Sequence, residues 1–445
     1  MKQVKNLIIG FGKAGKTLAG EFASRGEDVI LVEKSKKMYG GTCINVACIP
    51  TKKLKFLAFK RDELGYSMAV NAKNELISKL NNGNYHKVAD LENAEVLDGT
   101  ASFINENTVE VHTEDGVEEI QAERIFINTG ARPFIPNIDG LELSDRILTS
   151  ESLIELTDLP KDLAIIGSGP VGLELASIYS QFGSNVTLID RNDTIFKDED
   201  ADVRDAVIAA IEAQGINIVT NANTQSVKEN ADSVSIYYNI NGDQHEIQAT
   251  HLLVATGRKP NIEDLNLGKA GITVSDKGAV EVNEFLQTNL PHIFALGDVN
   301  GGPQQTYISL DDYRIIRDFI YGDKSYSTDR RKNVPATTFI EPPLSQVGLS
   351  ETAAREQGLD YKVASLDVSS IPKAKILDNQ TGLYKAIIDR KTNKILGVTL
   401  FGEESHEVIN IISTAMIADM DYTQLRDQIF THPTMAEALN DLFKI

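Results

Sequence analysis

Two stretches of the chain alternate in the same way between apolar runs and glycine-rich turns. Val4 to Ile9 is a short apolar run that meets Gly10-Phe11-Gly12-Lys13-Ala14-Gly15. A helical spacing follows from Lys16 to Arg25, then a second apolar run, Asp28 to Val32, ending at Glu33. The pattern returns in Leu163 to Ile166, Gly167-Ser168-Gly169-Pro170-Val171-Gly172, a helix reaching Phe182, and Val186 to Ile189 ending at Asp190. In both copies the acid stands 23 positions after the first glycine. Strand, G-x-G-x-x-G, helix, strand and terminal acid are the parts of a dinucleotide-binding unit. The glycines allow a tight turn and bring backbone against a pyrophosphate at the helix N-terminus, while the acid accepts a ribose hydroxyl. Gly10, Gly12, Ala14, Gly15 and Glu33 are therefore one candidate cofactor-binding set, and Gly167, Gly169, Gly172 and Asp190 another. Asp190 suits the free 2′-hydroxyl of NADH, while Arg191 beside it leaves room for the 2′-phosphate of NADPH.

The rest of the pattern fits around these units. Ile125 to Pro133 and Leu252 to Pro260 are alike: each is an apolar strand ending in Thr-Gly, at Thr129-Gly130 and Thr256-Gly257, as where a chain leaves one dinucleotide domain for another. Between the first unit and Thr129 the spacing predicts a polar helical region from Lys52 to Leu80 and short strands from Ala94 to Gln121. Ile293 to Asp298 reads as a strand ending in Gly297-Asp298, the end that faces a cofactor in such folds. Asp298 can there accept from the ribityl chain of a flavin. After about Arg330 the texture changes. Thr337 to Ile340, Leu383 to Ile388 and Ile395 to Phe401 read as strands, with a turn at Asn393-Lys394. Helices are expected from Ser405 to Met420 and from Met435 to Leu442. This is an α+β domain without a glycine loop.

Composition narrows the function. The net charge of −20 on 445 residues argues against nucleic acid and against an anionic membrane surface as partners. No apolar run reaches the length of a membrane span, and the N-terminus runs straight into a strand, so the expected location is cytoplasmic. Two cysteines in so long a chain is the usage of a reducing compartment, where a disulfide is more often catalytic than structural.

Both cysteines fall in Gly40-Gly41-Thr42-Cys43-Ile44-Asn45-Val46-Ala47-Cys48-Ile49-Pro50-Thr51-Lys52, five positions apart. Two thiols a little over one helical turn apart can close into a disulfide if the turn bends slightly. Gly40 and Gly41 allow close backbone approach, and Pro50 is expected to bend the helix that follows. A redox-active dithiol is one reading; two cysteines buried as small apolar residues is the other. Near the C-terminus, His432-Pro433-Thr434-Met435-Ala436-Glu437 offers an acid–base pair in which Glu437 orients the His432 ring. The same residues also read as a helix start, with Thr434 as N-cap and Glu437 completing a capping box.

Together these motifs resemble the flavoprotein disulfide reductases, the class of glutathione reductase, lipoamide dehydrogenase and mercuric reductase, over essentially the whole chain. The resemblance implies an α/β protein with two Rossmann-like dinucleotide-binding domains, for FAD and NAD(P), and a C-terminal α+β dimerisation domain. Its expected divisions are 1–150 and 266–330 for FAD, 151–265 for NAD(P) and 331–445 for dimerisation. FAD is implied at the first glycine unit with Gly41, Thr42, Lys52, Thr129, Gly130, Gly297 and Asp298, and a nicotinamide at the second with Gly257. Cys43 takes the part of interchange thiol and Cys48 that of the thiol facing the flavin. Lys52 and Glu174 match an ion pair near the flavin's reactive edge. His432, with Glu437, is implied to reach the other subunit's dithiol in a homodimer. Pro170 replaces the aromatic gate of several members, and no resident metal is implied. The runs Gly10 to Leu18, Met38 to Asn45, Thr306 to Arg314 and Leu425 to Pro433 point to the branch that confers resistance to reactive chlorine and reduces hypothiocyanous acid, a small-molecule oxidant, to thiocyanate. A cupric reductase and a lipoamide dehydrogenase-like disulfide reductase are the alternatives. Mercuric reductase is disfavoured because no C-terminal cysteine pair exists to receive a metal, and high-molecular-weight thioredoxin reductase for the same reason. A binding protein holding a soft metal on Cys43, Cys48 and His432 would leave both dinucleotide units without a role.

Overall fold

The first apolar run is apolar at successive positions because its strand is covered on both faces. In the computed structural model, which describes residues 1–445, the strand Lys2–Ile9 lies between Val29–Glu33 and Gly116–Ile127 in a seven-stranded sheet, parallel to both. Leu7 and Ile9 enter one core with Phe103, Ile125 and Ile293. Ile8 enters another with Leu18, Phe22 and Phe126. Burial on both faces is the signature of a parallel sheet flanked by other layers.

The chain divides into two compact units. The first comprises Met1–Ile135, Ser150–Thr157 and Gly257–Arg330. Its fingerprint helix is Lys13–Ser24, starting three residues before the sequence-based expectation. Gly15 therefore lies inside the helix, where a Cβ would come within 2.6 Å of the Gly10 carbonyl oxygen and 2.9 Å of Asn128 Oδ1. Only glycine lets the turn and the strand Gly116–Ile127 close to this distance. Asn128, directly after that strand, accepts the Gly15 N–H at 2.9 Å and donates to the Leu296 carbonyl at 2.7 Å. It thus links the glycine turn to the strand Ile293–Ala295 and the Gly297-Asp298 turn beyond it.

The region expected to be one polar helix is three, Cys48–Ala58, Arg61–Leu64 and Tyr66–Ala89. The first interruption is at Phe59-Lys60, where Lys60 leaves helical geometry at φ −109°, ψ 17°, and the second is at Gly65, whose φ of 70° no helix accommodates. Four strands follow between Ala94 and Ile127. The Thr-Gly exits meet as a two-stranded antiparallel ribbon, Ala131–Pro133 with Arg258–Pro260. Thr129 Oγ1 latches it by donating to the Asn261 carbonyl at 2.7 Å.

The second unit comprises Pro136–Thr149, Asp158–Thr256 and Arg331–Ile445. Asn185–Ile189 and His251–Val254 flank Asp162–Ile166 in a five-stranded parallel sheet, with the helix Pro170–Phe182 rising from its glycine turn. The C-terminal residues form a five-stranded antiparallel sheet centred on Ile395–Phe401. Asn393 in its connecting turn has φ 58°, as a turn asparagine tolerates. The helix Ser405–Ile417 packs Val408, Ile409 and Ile412 into the core beneath this sheet. Within this unit Lys385, 4% exposed, is surrounded by Asp200 at 3.2 Å, Asp202 at 2.9 Å and Glu351 at 2.7 Å. No helix is long and apolar enough to cross a membrane.

Replacing Asn128 with alanine orphans the Gly15 N–H and the Leu296 carbonyl in a buried place. Asn128→Ala is expected to cost roughly 2–4 kcal/mol in urea unfolding and to lower the flavin content of the purified protein.

Candidate active site

The cysteine segment is a broken helix. Gly41, at φ 83°, lies against the fingerprint: a Cβ there would come within 2.9 Å of Gly12 Cα. A single turn, Thr42–Asn45, carries Cys43. Asn45, 4% exposed, holds that turn by donating to the Tyr39 and Gly41 carbonyls at 3.0 and 2.9 Å. Ala47 (φ −134°, ψ −102°) then breaks the helix, and Cys48 begins the helix Cys48–Ala58. The break, rather than a bend at Pro50, brings the sulfurs together. Pro50 does not kink its helix because it lies in the first turn, where its missing N–H has no partner to lose.

The two thiols are hydrogen-bonded to each other and respond in opposite directions. The Cys43 thiol donates to Cys48 and, with Thr306 and the Lys52 cation, outweighs burial to bring Cys48 down to about 6. Cys43 moves up, because it carries the shared proton and is desolvated. Thr306 Oγ1 stands 3.6 Å from Cys48 Sγ at the first position of the helix Thr306–Tyr321. At neutral pH the reduced pair is therefore one thiolate, on Cys48, and one thiol, on Cys43. Thr306 is 258 positions from Cys48, so no local spacing announces it.

The first glycine unit fits a flavin dinucleotide. Glu33 accepts the Phe11 and Ser35 N–H groups at 2.9 and 3.1 Å, and burial raises its pKa against them. Each oxygen keeps a lone pair for a ribose hydroxyl. The Gly297 N–H is fixed by the buried Asp312 carboxylate at 2.6 Å, and Ser309 Oγ, one turn earlier on the same helix, accepts the Ala14 N–H at 3.3 Å. Asp298 beside Gly297 is raised by burial, opposed by the field of Arg258, and no side chain donates to it. A half-buried carboxylate with spare acceptors matches a polyol. The Thr129 hydroxyl is spent on Asn261, which leaves only its backbone and that of Gly130 for a ligand.

In the second unit Asp190 accepts from Ser168 N at 2.8 Å and from Asn192 N and Nδ2, both at 2.8 Å. Burial alone would raise it, but these bonds and the Ser168 hydroxyl hold it below the ordinary carboxylate range. Arg191 is exposed beside it. Glu174, on the helix Pro170–Phe182, accepts the Phe339 N–H at 2.9 Å. His432 Nδ1 meets the Glu437 carboxylate at 2.8 and 3.0 Å, with the ring 70% exposed. Thr434 Oγ1 accepts the Glu437 N–H at 3.2 Å, the one half of the expected capping box that forms. The helix begins only at Ala438, with Glu437 rather than Thr434 as its N-cap, and the Glu437 carboxylate bonds the imidazole instead of completing the capping box. Cys43, Cys48 and Lys52 belong to the first unit; Glu174, His432 and Glu437 belong to the second. No group of three His, Cys, Asp or Glu side chains has the arrangement to hold a metal ion.

Comparison with known proteins gives matches over nearly the whole chain. Residues 4–312 match the pyridine nucleotide-disulphide oxidoreductase family and 334–443 its dimerisation domain. The probable pyridine nucleotide-disulfide oxidoreductase RclA of Escherichia coli is 44% identical over 100% of both chains. A mercuric reductase of Lysinibacillus sphaericus is 35% identical over 97% of this chain and 81% of its own. The solved Cu(II) complex of the HOCl-induced flavoprotein disulfide reductase RclA from Escherichia coli superposes with a TM-score of 0.96 at 44% identity, covering 100% of this chain and 99% of that one.

Thr306→Val removes a donor from the Cys48 thiolate and is expected to raise its pKa by about one unit. The infrared S–H absorption of the reduced protein, followed against pH, would then gain its second thiol band at a higher pH than in the parent.

Proposed function

The chain belongs to the pyridine nucleotide-disulphide oxidoreductase family, and from that membership we propose that it is an FAD- and NADH-dependent reductase of hypothiocyanous acid. The observation that carries this reading is the full-length match to the HOCl-induced flavoprotein disulfide reductase RclA, in a chain whose only two cysteines stand paired beside the fingerprint. Residues 1–150 and 266–330 bind FAD, 151–265 bind the nicotinamide, and 331–445 pair two subunits. The Gly10–Gly15 turn, Gly41, Thr42, Lys52, Glu33 and Asp298 would hold FAD, which would supply two-electron reduction of the Cys43–Cys48 disulfide at the expense of NADH.

The remaining chemistry belongs to the side chains. Cys43, relieved of its proton, attacks the electrophilic sulfur of HOSCN; the S–O bond breaks, and the oxygen leaves as water with a proton from His432, reaching across the dimer. Cys43 then carries a sulfenyl thiocyanate. The Cys48 thiolate attacks the Cys43 sulfur, expels thiocyanate and restores the disulfide. The sum is HOSCN and NADH going to thiocyanate, water and NAD⁺. Glu437 fixes the His432 ring through Nδ1, which leaves Nε2 for the proton transfer. Lys52 lends its positive charge to the Cys48 sulfur. Asp190, ionised and already holding four donors, favours a ribose hydroxyl over a 2′-phosphate.

Copper is the second reading, since the relative with the TM-score of 0.96 was solved as a Cu(II) complex. The purified holoprotein is expected to oxidise NADH fastest with HOSCN, one NADH per oxidant, when Cu(II), lipoamide and glutathione disulfide are run alongside. Faster turnover with Cu(II) or a disulfide would transfer the assignment to that substrate. Cys43→Ser should abolish HOSCN turnover, and a variant with full activity would sink the scheme. Asp190→Ala should lower kcat/KM for NADH about tenfold or more and narrow its margin over NADPH, read from steady-state kinetics with each cofactor.

A further inference from the structure

Lys16 is placed where the mechanism above has no use for a cation. It lies in the second turn of the helix Lys13–Ser24, and its Nζ donates to Asn84 Oδ1 at 2.6 Å and to the Gly40 carbonyl at 3.3 Å. Asn84, 6% exposed, donates its own amide to the Leu80 carbonyl at 2.6 Å, so its oxygen is committed to Lys16. Gly40 opens the turn that carries Cys43, and a Cβ on it would come within 2.8 Å of the Ile44 side chain. Both oxygens that hold the ammonium are neutral. In a chain of net charge −20, this half-buried lysine is held by no carboxylate of the protein. Its charged neighbours are Lys13 on its own helix and Lys87 on Tyr66–Ala89, both cations, and the one anion-forming group it acts on is Cys43.

We propose that Lys16 is a positioning residue for the dithiol: its ammonium, pinned under Gly40 by Asn84, supplies the positive field that eases the proton off Cys43 and readies that sulfur to meet the substrate. The assignment rests on Cys43 being the interchange thiol. Lys16 opposes the two influences that raise Cys43, the bond to Cys48 and burial. Burial, Lys13 and Lys87 bring Lys16 itself down to about 8, and Cys43 pulls the other way. At neutral pH the lysine is thus still cationic, and its field at Cys43 fades as the pH passes about 8.

The test is the rate at which iodoacetamide labels the dithiothreitol-reduced holoprotein, followed against pH, with the label located by peptide mapping. Lys16→Met is expected to slow labelling of Cys43 at neutral pH about threefold or more and to move the profile to higher pH, with Lys16→Arg within about twofold of the parent. Asn84→Leu, which releases the ammonium without deleting it, is expected to slow labelling in the same direction and gives the answer if Lys16→Met fails to fold. Unchanged Cys43 profiles in Lys16→Met or, where that fails to fold, in Asn84→Leu would overturn the proposal. So would equal slowing by Met and Arg, which would make shape rather than charge the cause, or loss of FAD with an unaltered Cys43 profile, which would give the cation to the cofactor's phosphates. A label on Cys48 in the parent would instead overturn the assignment of the interchange thiol.

Discussion

One amide side chain sets the geometry of the redox unit. Asn128 accepts the Gly15 N–H and donates to the Leu296 carbonyl, so the glycine turn, the central strand and the Gly297-Asp298 turn share one reference point. Both bonds are buried, where an unmade hydrogen bond is most costly. The helix Thr306–Tyr321 repeats the tie from the other side. Ser309 takes the Ala14 N–H, Asp312 takes the Gly297 N–H, and Thr306 at the helix start faces Cys48. The dithiol is positioned against the fingerprint through this frame, since Gly41 packs on Gly12 and Asn45 holds the turn behind it.

What the sequence made legible was whatever physics concentrates locally. The two glycine units, their terminal acids and the Thr-Gly exits are short, and each obeys a steric or electrostatic rule, so Glu33, Asp190, Gly257 and Asp298 stand where the pattern put them. The polar helical region broke into three pieces because the chain leaves helical geometry at Lys60 and again at Gly65, against the periodicity around them. Pro50 was misread as a bend because its effect depends on distance from the helix start, which Ala47 decides. Thr306, Asn128 and Lys16 left no signal of their own kind. A threonine, an asparagine and a lysine on a helix are ordinary residues until folding brings distant partners to them.

The second unit relies on charge in a different manner. Lys385 sits among Asp200, Asp202 and Glu351, while Asp200 also accepts the N–H groups of Glu351 and Thr352, both at 2.9 Å. Burial works against the Lys385 charge, yet the carboxylates keep its affinity for the proton above the ordinary value. The helix Ala201–Ala213 beyond the nucleotide-binding strands is joined in this way to the C-terminal antiparallel sheet by an ion cluster whose buried members are Lys385 and Asp200. Such a cluster contributes less to net stability than its short distances suggest, because the same charges are well solvated in the unfolded chain.

The single proton shared by Cys43 and Cys48 fixes how many protons accompany the two electrons that open the disulfide. With the Cys48 thiolate standing above about pH 6 and Cys43 still protonated, reduction takes up one proton rather than two. The midpoint potential of the couple then falls by about 30 mV for each unit of pH, half the slope of a dithiol that binds both. A rise in pH lowers the nicotinamide potential at that same half slope, because reduction of NAD⁺ also takes up one proton per electron pair. Donor and acceptor therefore keep their potential difference nearly constant across neutral pH, and the driving force between them stays matched without any group adjusting.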